Sequence, residues 1–501
     1  MSFNSLKFLI FLVVVLILYY IIPNKFRWIL LLVASYYFYM SWNAALIVLI
    51  LITTITSYLS GIFIERTDNK NKKIFWLVFA LVVSLGILIF FKYINFILSS
   101  VIGFLNLFSL NLDSVFLDLI LPVGISFYTF QTLSYVIDVY RGEYKAEKHF
   151  GYFALFVSFF PQLVAGPIER ADNLIPQLKD NHIFNMDDFL AGFRIILVGF
   201  FRKCVIADVC GVYVNNVFNN IGDANTLSIF LAGLLFAVEI YNDFAGYSDI
   251  ATGCARMMGI KLTKNFDRPF LSQSFNEMWS RWHITLNNWF RDYIYLPLNY
   301  RAMGKKHVKL RVYFNLLFVF IISGLWHGAS WTYVLWGLFN GILMLIDQLT
   351  KKPIQNFYKK HNLNRNAKAL VFLRRFLIIL VMSFTGYFFR SNSIEQFFEL
   401  MGRFFTSFGF SIEYFKSSFN SLGLNLTGFI QIALTIASMI LIYNFGQFKK
   451  EEEDTILPNI KVKTFNVLQY SCYVYTFVII ALSWIMLIKT NDISSFAYFQ
   501  F

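Results

Sequence analysis

The stretch Val312-Tyr-Phe-Asn-Leu-Leu-Phe-Val-Phe-Ile-Ile-Ser-Gly-Leu-Trp-His-Gly-Ala-Ser330 lies between two basic runs, Arg301–Arg311 and Lys351–Lys360. Its apolar character extends to about residue 347, broken only at Ser323–Ser330 by two glycines and a histidine. Basic flanks stay on the cytoplasmic face of a membrane, so both ends of this segment belong there. Each arm counts roughly a dozen residues, about 18 Å of helix. The segment therefore reads as a re-entrant hairpin with His327 at its buried tip. Irregular backbone survives at that depth only inside protein or beside a water-filled cavity.

The rest of the chain supports a membrane setting. Of 501 residues, 57% are hydrophobic, 20% aromatic and 14% charged. Soluble domains carry roughly 25% charged residues, so a soluble chain of this size would lack the polar surface it needs. Gly and Pro, at 26 and 9, are too few for a fibrous or low-complexity chain. The net charge of +14 is accounted for by basic loops between apolar runs, which excludes nucleic acid as a partner. Cys204, Cys210, Cys254 and Cys472 show no paired spacing, so neither a disulfide framework nor a metal site is expected. Residues 8–22 lack a small-residue cleavage site and are followed by Lys25 and Arg27, which marks an anchor.

Apolar runs long enough to cross are 8–22, 28–40, 44–64, 74–91, 117–139, 190–212, 227–245, 371–390, 428–446 and 466–488. With the N-terminus outside, loops 23–27, 65–73, 140–149 and 350–370 are cytoplasmic and hold most of the basic residues, whereas 41–43, 213–226 and 391–427 contain only Arg403 and Lys416. The expectation is an all-α polytopic membrane protein with about ten transmembrane helices and both termini outside, in a single domain over 1–501. Its catalytic core would be 117–349, followed by C-terminal helices over 371–488. Segment 94–110 is expected in the interface, 150–167 is broken by Pro161 and Ala165-Gly166-Pro167, and Lys449–Lys463 reads as a solvated loop.

Four of the six histidines lie in polar loops. His283 and His327 instead sit among aromatic and small residues, in Trp279-Ser-Arg-Trp-His283 and Leu325-Trp-His-Gly328. Ionisable groups at membrane depth are rare and usually functional. Between Glu239 and Leu298 the chain interleaves Asn242, Asp243, Ser248, Asp249, Asn265, Glu277, Arg281, Asn287 and Arg291 with Tyr241, Trp279, Trp282 and Trp289. That mixture suggests short amphipathic helices folding back into the core from the cytoplasmic side. No phosphate-binding glycine loop, G-x-S-x-G elbow or H-x-x-x-H pair occurs.

At these residues the sequence resembles the membrane-bound O-acyltransferases, in particular their alginate O-acetylation branch. The resemblance is carried by Leu121-Pro-Val-Gly-Ile-Ser-Phe-Tyr-Thr-Phe130, Tyr135-Val-Ile-Asp-Val-Tyr-Arg-Gly142, Phe160-Pro-Gln-Leu-Val-Ala-Gly-Pro-Ile-Glu-Arg170, Tyr241-Asn-Asp-Phe-Ala-Gly-Tyr-Ser-Asp-Ile250 and Asn265-Phe-Asp-Arg-Pro-Phe270. Its strongest parts are Trp279-Ser-Arg-Trp-His-Ile-Thr-Leu286, Trp289-Phe-Arg-Asp-Tyr-Ile-Tyr-Leu-Pro-Leu298 and Gly324-Leu-Trp-His-Gly-Ala329. It covers nearly the whole chain; Ser280 stands where Arg is common, and Asn299-Tyr300 where Gly-Gly is usual.

The resemblance implies a helical fold with a central catalytic tunnel, funnels from both faces meeting near the histidine. It makes His327 the catalytic histidine and His283 the second one, with no metal. The acyl group would come from a cytoplasmic donor, with acetyl-CoA expected, and go to an extracellular or cell-wall polysaccharide such as alginate, cellulose or peptidoglycan. A secreted SGNH-hydrolase-type acetyltransferase would be the partner, and the location a bacterial cytoplasmic membrane. Asp243, Ser248, Asp249, Glu277, Trp279, Arg281, Trp282, Asn287, Arg291 and Trp326 are candidates to support the histidines or bind donor and acceptor. The rival functions are D-alanylation of teichoic acid from a carrier protein, a polysaccharide or lipid transporter without a covalent step, and a scaffold for a secreted transferase.

Overall fold

The computed structural model describes residues 1–113, 115–445 and 474–481, and all regular structure among them is helical. Among the described residues six helices are long and apolar enough to cross a membrane, and a seventh crossing exists if Ile412–Leu422 and Leu426–Ser438, bent by 68°, act together. These residues therefore match only part of the ten expected spans. Leu6–Ile21 and Asn24–Met40 have 16 and 17 residues because Pro23 ends one and caps the next. A full crossing needs about 20.

Other expectations also change. Helix α1 (Lys70–Asn106) is continuous over 37 residues, so segment 94–110 extends a span through a π turn at Ile89–Tyr93 instead of lying apart from it. Helix α2 (Ile125–Arg141) begins eight residues later than expected, because Pro122 and Gly124, with φ of +75°, hold the preceding chain out of the helix. Helix α3 (Met186–Phe200) runs through a second π turn, Phe201–Ala207, into Asp208–Asn219. Helix α4 (Thr226–Met257) carries on twelve residues past the predicted end of its span. The loop expected at 391–427 contains the helices Ile394–Thr406 and Ile412–Leu422. Of the predicted last span, 466–488, only 474–481 is described; Lys449–Lys463 lies outside the described residues.

A helical hairpin is present, but both arms are long enough to cross a membrane, so the expected re-entrant segment is replaced by two candidate spans. Helix α5 (Val308–His327) has 20 residues, about 30 Å, and helix α6 (Trp331–Lys360) has 30, about 45 Å. Polar ends such as Lys309 and Lys351 continue the helices beyond the apolar run, which hydropathy alone does not show. Gly328 ends α5, and Ser330 caps α6 by accepting a hydrogen bond from the Thr332 amide. The arms touch through backbone: a Cβ on Gly324 would overlap the Tyr333 carbonyl, and one on Gly337 the Phe320 carbonyl. Small residues let membrane helices approach in this way. Helices α3 and α4 use the same device twice. A Cβ on Gly192 would meet the Gly253 oxygen and one on Gly253 the Gly192 oxygen, both at 2.6 Å; Gly199 and Gly246 are matched likewise at 2.8 Å. The seven-residue offset within each helix shows an antiparallel pair. Helix α7 (Lys368–Arg390) packs against both α4 and α6.

The backbone contact makes a direct test. Gly324→Leu should abolish activity and lower the melting temperature in detergent, whereas Gly86→Leu, where a Cβ would meet nothing within 4 Å, should do neither. Topology can be tested separately with single cysteines at Lys360 and Ser417, both exposed and separated by α7. An impermeant thiol reagent should label Lys360→Cys only from the cytoplasm and Ser417→Cys only from the opposite side.

Candidate active site

His327 is the last residue of α5 and is 8% exposed. Its ring meets Trp336 and Phe389 edge-on, with centroids at 5.1 and 5.3 Å. Two cavities touch it. One, of about 140 Å³, is bounded by Lys92, Pro122, Gly124, Ser126, Val164 and Trp326. The other, about 40 Å³, is apolar and enclosed by Phe236, Ile240, Trp282, Trp336, Met382 and Phe389. Of all these lining residues, His327 alone faces both.

His283 is placed by the local chain. Residues Phe275–Arg281 and Ile284–Phe290 are single short helices, and His283 caps the second with a left-handed φ of 44°. Asn287 fixes the connection by donating to the Trp279 and Trp282 carbonyls at 2.7 and 2.5 Å. The buried His283 Nδ1 lies 3.0 Å from Asn265 Oδ1, which also accepts from the Thr285 hydroxyl at 2.9 Å. An amide oxygen only accepts, so Nδ1 carries the proton and Nε2 is the basic nitrogen. Nε2 has no hydrogen-bond partner among the described residues. The Trp326 indole separates the histidines, 5.8 Å from the His283 ring and 5.0 Å from that of His327.

The other candidates divide by position. Trp326 and Trp282 line the cavities, and Trp279 packs edge-on against Trp336 at 5.7 Å. Ser248 accepts from the Asn265 side-chain amide at 3.3 Å and so stands behind His283. Five charged candidates lie in ion pairs away from both cavities. Asp243 shares Lys203 with Asp208, each at 2.8 Å and all buried, and Asp249 holds Arg202 at 2.8 Å. Pairing of this kind is what allows charge inside a membrane protein. Glu277 pairs with Arg281, and Arg291 with Asp292, in both cases at 2.8 Å. Two residues absent from the predicted set belong to the site: Asn265, which holds His283, and Lys92, which lines the larger cavity. Asn265 lies inside a quoted motif; Lys92 is a lone cation in an apolar run, itself a signal of function.

A third cavity, about 620 Å³, lies at the other end of α2 between Asp138, Arg141, Arg170, Asp292 and Tyr293. Tyr293 donates to the Asp138 carboxylate at 2.7 Å. Four carboxylates against two guanidiniums line this cavity, a balance that disfavours a polyphosphate.

Residues 146–391 match the model of the membrane-bound O-acyltransferase family. The probable alginate O-acetylase AlgI of Azotobacter vinelandii is 36% identical over 353 residues, covering 70% of this chain and 69% of the relative. The chain belongs to the membrane-bound O-acyltransferase family. The AlgI protein of Pseudomonas syringae pv. tomato is 34% identical over 91% of this chain and 84% of its own. The peptidoglycan O-acetyltransferase of Helicobacter pylori is 33% identical over 64% of each. This membrane-embedded O-acyltransferase is therefore an enzyme, which removes the transporter and scaffold readings.

The His283–Asn265 contact leads to a non-additivity test. Asn265→Ala and His283→Ala should each reduce acyl transfer at least about tenfold. The double variant should be no worse than His283→Ala, because Asn265 acts through the imidazole it holds.

Proposed function

We propose that this acyltransferase O-acetylates an extracellular or cell-wall polysaccharide, taking the acetyl group from cytoplasmic acetyl-CoA. It would act in a bacterial cytoplasmic membrane with the basic loops inside, and a secreted SGNH-hydrolase-type acetyltransferase would complete delivery to the polymer. The observation that carries this reading is His327 standing between two cavities of different character. The apolar one is the smaller, about 40 Å³ against about 140 Å³, which suits a two-carbon acyl group better than a long chain. The names of the relatives, alginate O-acetylase and peptidoglycan O-acetyltransferase, support the same transferred group and a polymeric acceptor.

In this mechanism an acceptor hydroxyl enters from the larger cavity and attacks the thioester carbonyl. A C–O bond forms, the C–S bond breaks, and His327 takes the hydroxyl proton and returns it to the departing thiolate as a thiol. An imidazole is suited to both transfers because its ordinary pKa lies near working pH, and such a base contributes typically about 10²–10⁴ in rate. His283, whose Nε2 can only accept in this tautomer, would orient the donor or the acceptor by taking a hydrogen bond from it.

Membranes supplied with acetyl-labelled acetyl-CoA test this reading. The unmodified protein should transfer label to polymer, and His327→Gln, which keeps hydrogen bonding but takes up no proton near neutral pH, should fall to background at normal membrane level. Near-normal transfer by His327→Gln would remove it as base and leave His283. Label transferred from a D-alanyl carrier protein and not from acetyl-CoA would establish the alternative donor.

A further inference from the structure

Helix α5 stops inside the protein at His327, and its last carbonyls have no following turn to donate to them. Such groups need other donors, since an unpartnered carbonyl in a water-poor interior is costly. All three are met from α1. Tyr93 donates its hydroxyl to the Leu325 oxygen at 2.8 Å; Lys92 donates to the Trp326 oxygen at 2.6 Å and the His327 oxygen at 3.1 Å. The third ammonium proton has the Ser126 hydroxyl at 3.3 Å. Both residues belong to the π turn Ile89–Tyr93, a local widening of the kind often found at functional sites.

We propose that Lys92 is a positioning residue of the active site, its ammonium closing the end of α5 so that His327 is held in place and kept neutral as the base. Among the described residues no carboxylate forms an ion pair with Lys92; its charge is balanced by the negative end of the α5 dipole. It also lines the cavity that His327 shares. The Lys92 ammonium opposes a second positive charge on the nearby imidazole, and only the neutral ring accepts a proton. The other ionisable groups around His327 are His283, behind Trp326, and Tyr333, which shares the Phe389 ring with it; Arg390 follows Phe389 at the end of α7. The α5 carbonyls are met by Lys92 and Tyr93, to which the capping role falls.

This inference rests on His327 being the base. The test is acetyl transfer from labelled acetyl-CoA, measured against pH in one type of membrane preparation with the same partner proteins, for Lys92→Met, Lys92→Gln, Lys92→Arg and His327→Gln. Lys92→Met removes donors and charge and should lose at least about tenfold in rate. Lys92→Gln keeps a donor without the charge. It should retain part of the rate, with the acid limb displaced to higher pH because the imidazole now protonates more readily. Lys92→Arg should return the limb to its original place. A limb that does not move in Lys92→Gln, or full activity in Lys92→Met, overturns the proposal even if His327→Gln is inactive. If His327→Gln is active, the base assignment fails and the protonation role of Lys92 fails with it; a lowered melting temperature of Lys92→Met in detergent would then report the cap alone.

Discussion

A helix that ends inside a membrane protein leaves carbonyl oxygens without a partner and with little water to replace one. Much of the local architecture answers that constraint. The end of α5 needs donors, so α1 passes beside it; α1 presents a lysine and a tyrosine there because a π turn interrupts its regular winding. A lysine at that depth needs compensation in turn, which the converging carbonyls provide. Thus a span with no residue in the predicted site determines where the proposed base sits.

Close backbone packing is the second element. The α5–α6 pair meets at Gly324 and Gly337, and the α3–α4 pair at two matched glycine couples. Where backbones approach this closely, large side chains are directed elsewhere, here into the aromatic lining around His327 and His283. The ion pairs of Lys203 with Asp243 and Asp208, and of Arg202 with Asp249, join the π turn after α3 to its neighbours. Their role follows from placement: they hold elements together at a distance from the cavities.

The sequence is legible where one local signal suffices. Apolar runs declare a membrane helix bundle, and His283 and His327 stand out by their aromatic, small-residue surroundings alone. The short helices carrying Trp279 and Trp289, with Trp282 in the link between them, do fold into the core, and the Trp289 indole donates to the Phe130 carbonyl at 2.9 Å. Helix ends are less legible: the apolar run ends α1 at Phe91, one residue before Lys92, and α4 at Ala245, twelve residues short of its end. The couples Gly192–Gly253 and Gly199–Gly246 are invisible to any local count because each lone glycine looks unremarkable. Asp249 and Arg291 resemble ligand-binding groups in sequence, and only their partners, Arg202 and Asp292, assign them elsewhere.

The junction at His327 has a consequence for the membrane as a barrier. A protein that passes a chemical group across a bilayer risks passing ions as well, and a continuous aqueous pore here would short-circuit the proton gradient. The two cavities share a single imidazole, hemmed in by Trp326, Trp336 and Phe389. The small apolar cavity beside it, walled by Phe236, Ile240, Trp282, Met382 and Phe389, disfavours a hydrated ion. In the proposed mechanism the acyl group is transferred by bond exchange and needs no open passage, so the side chain assigned as the base can double as an electrical insulator.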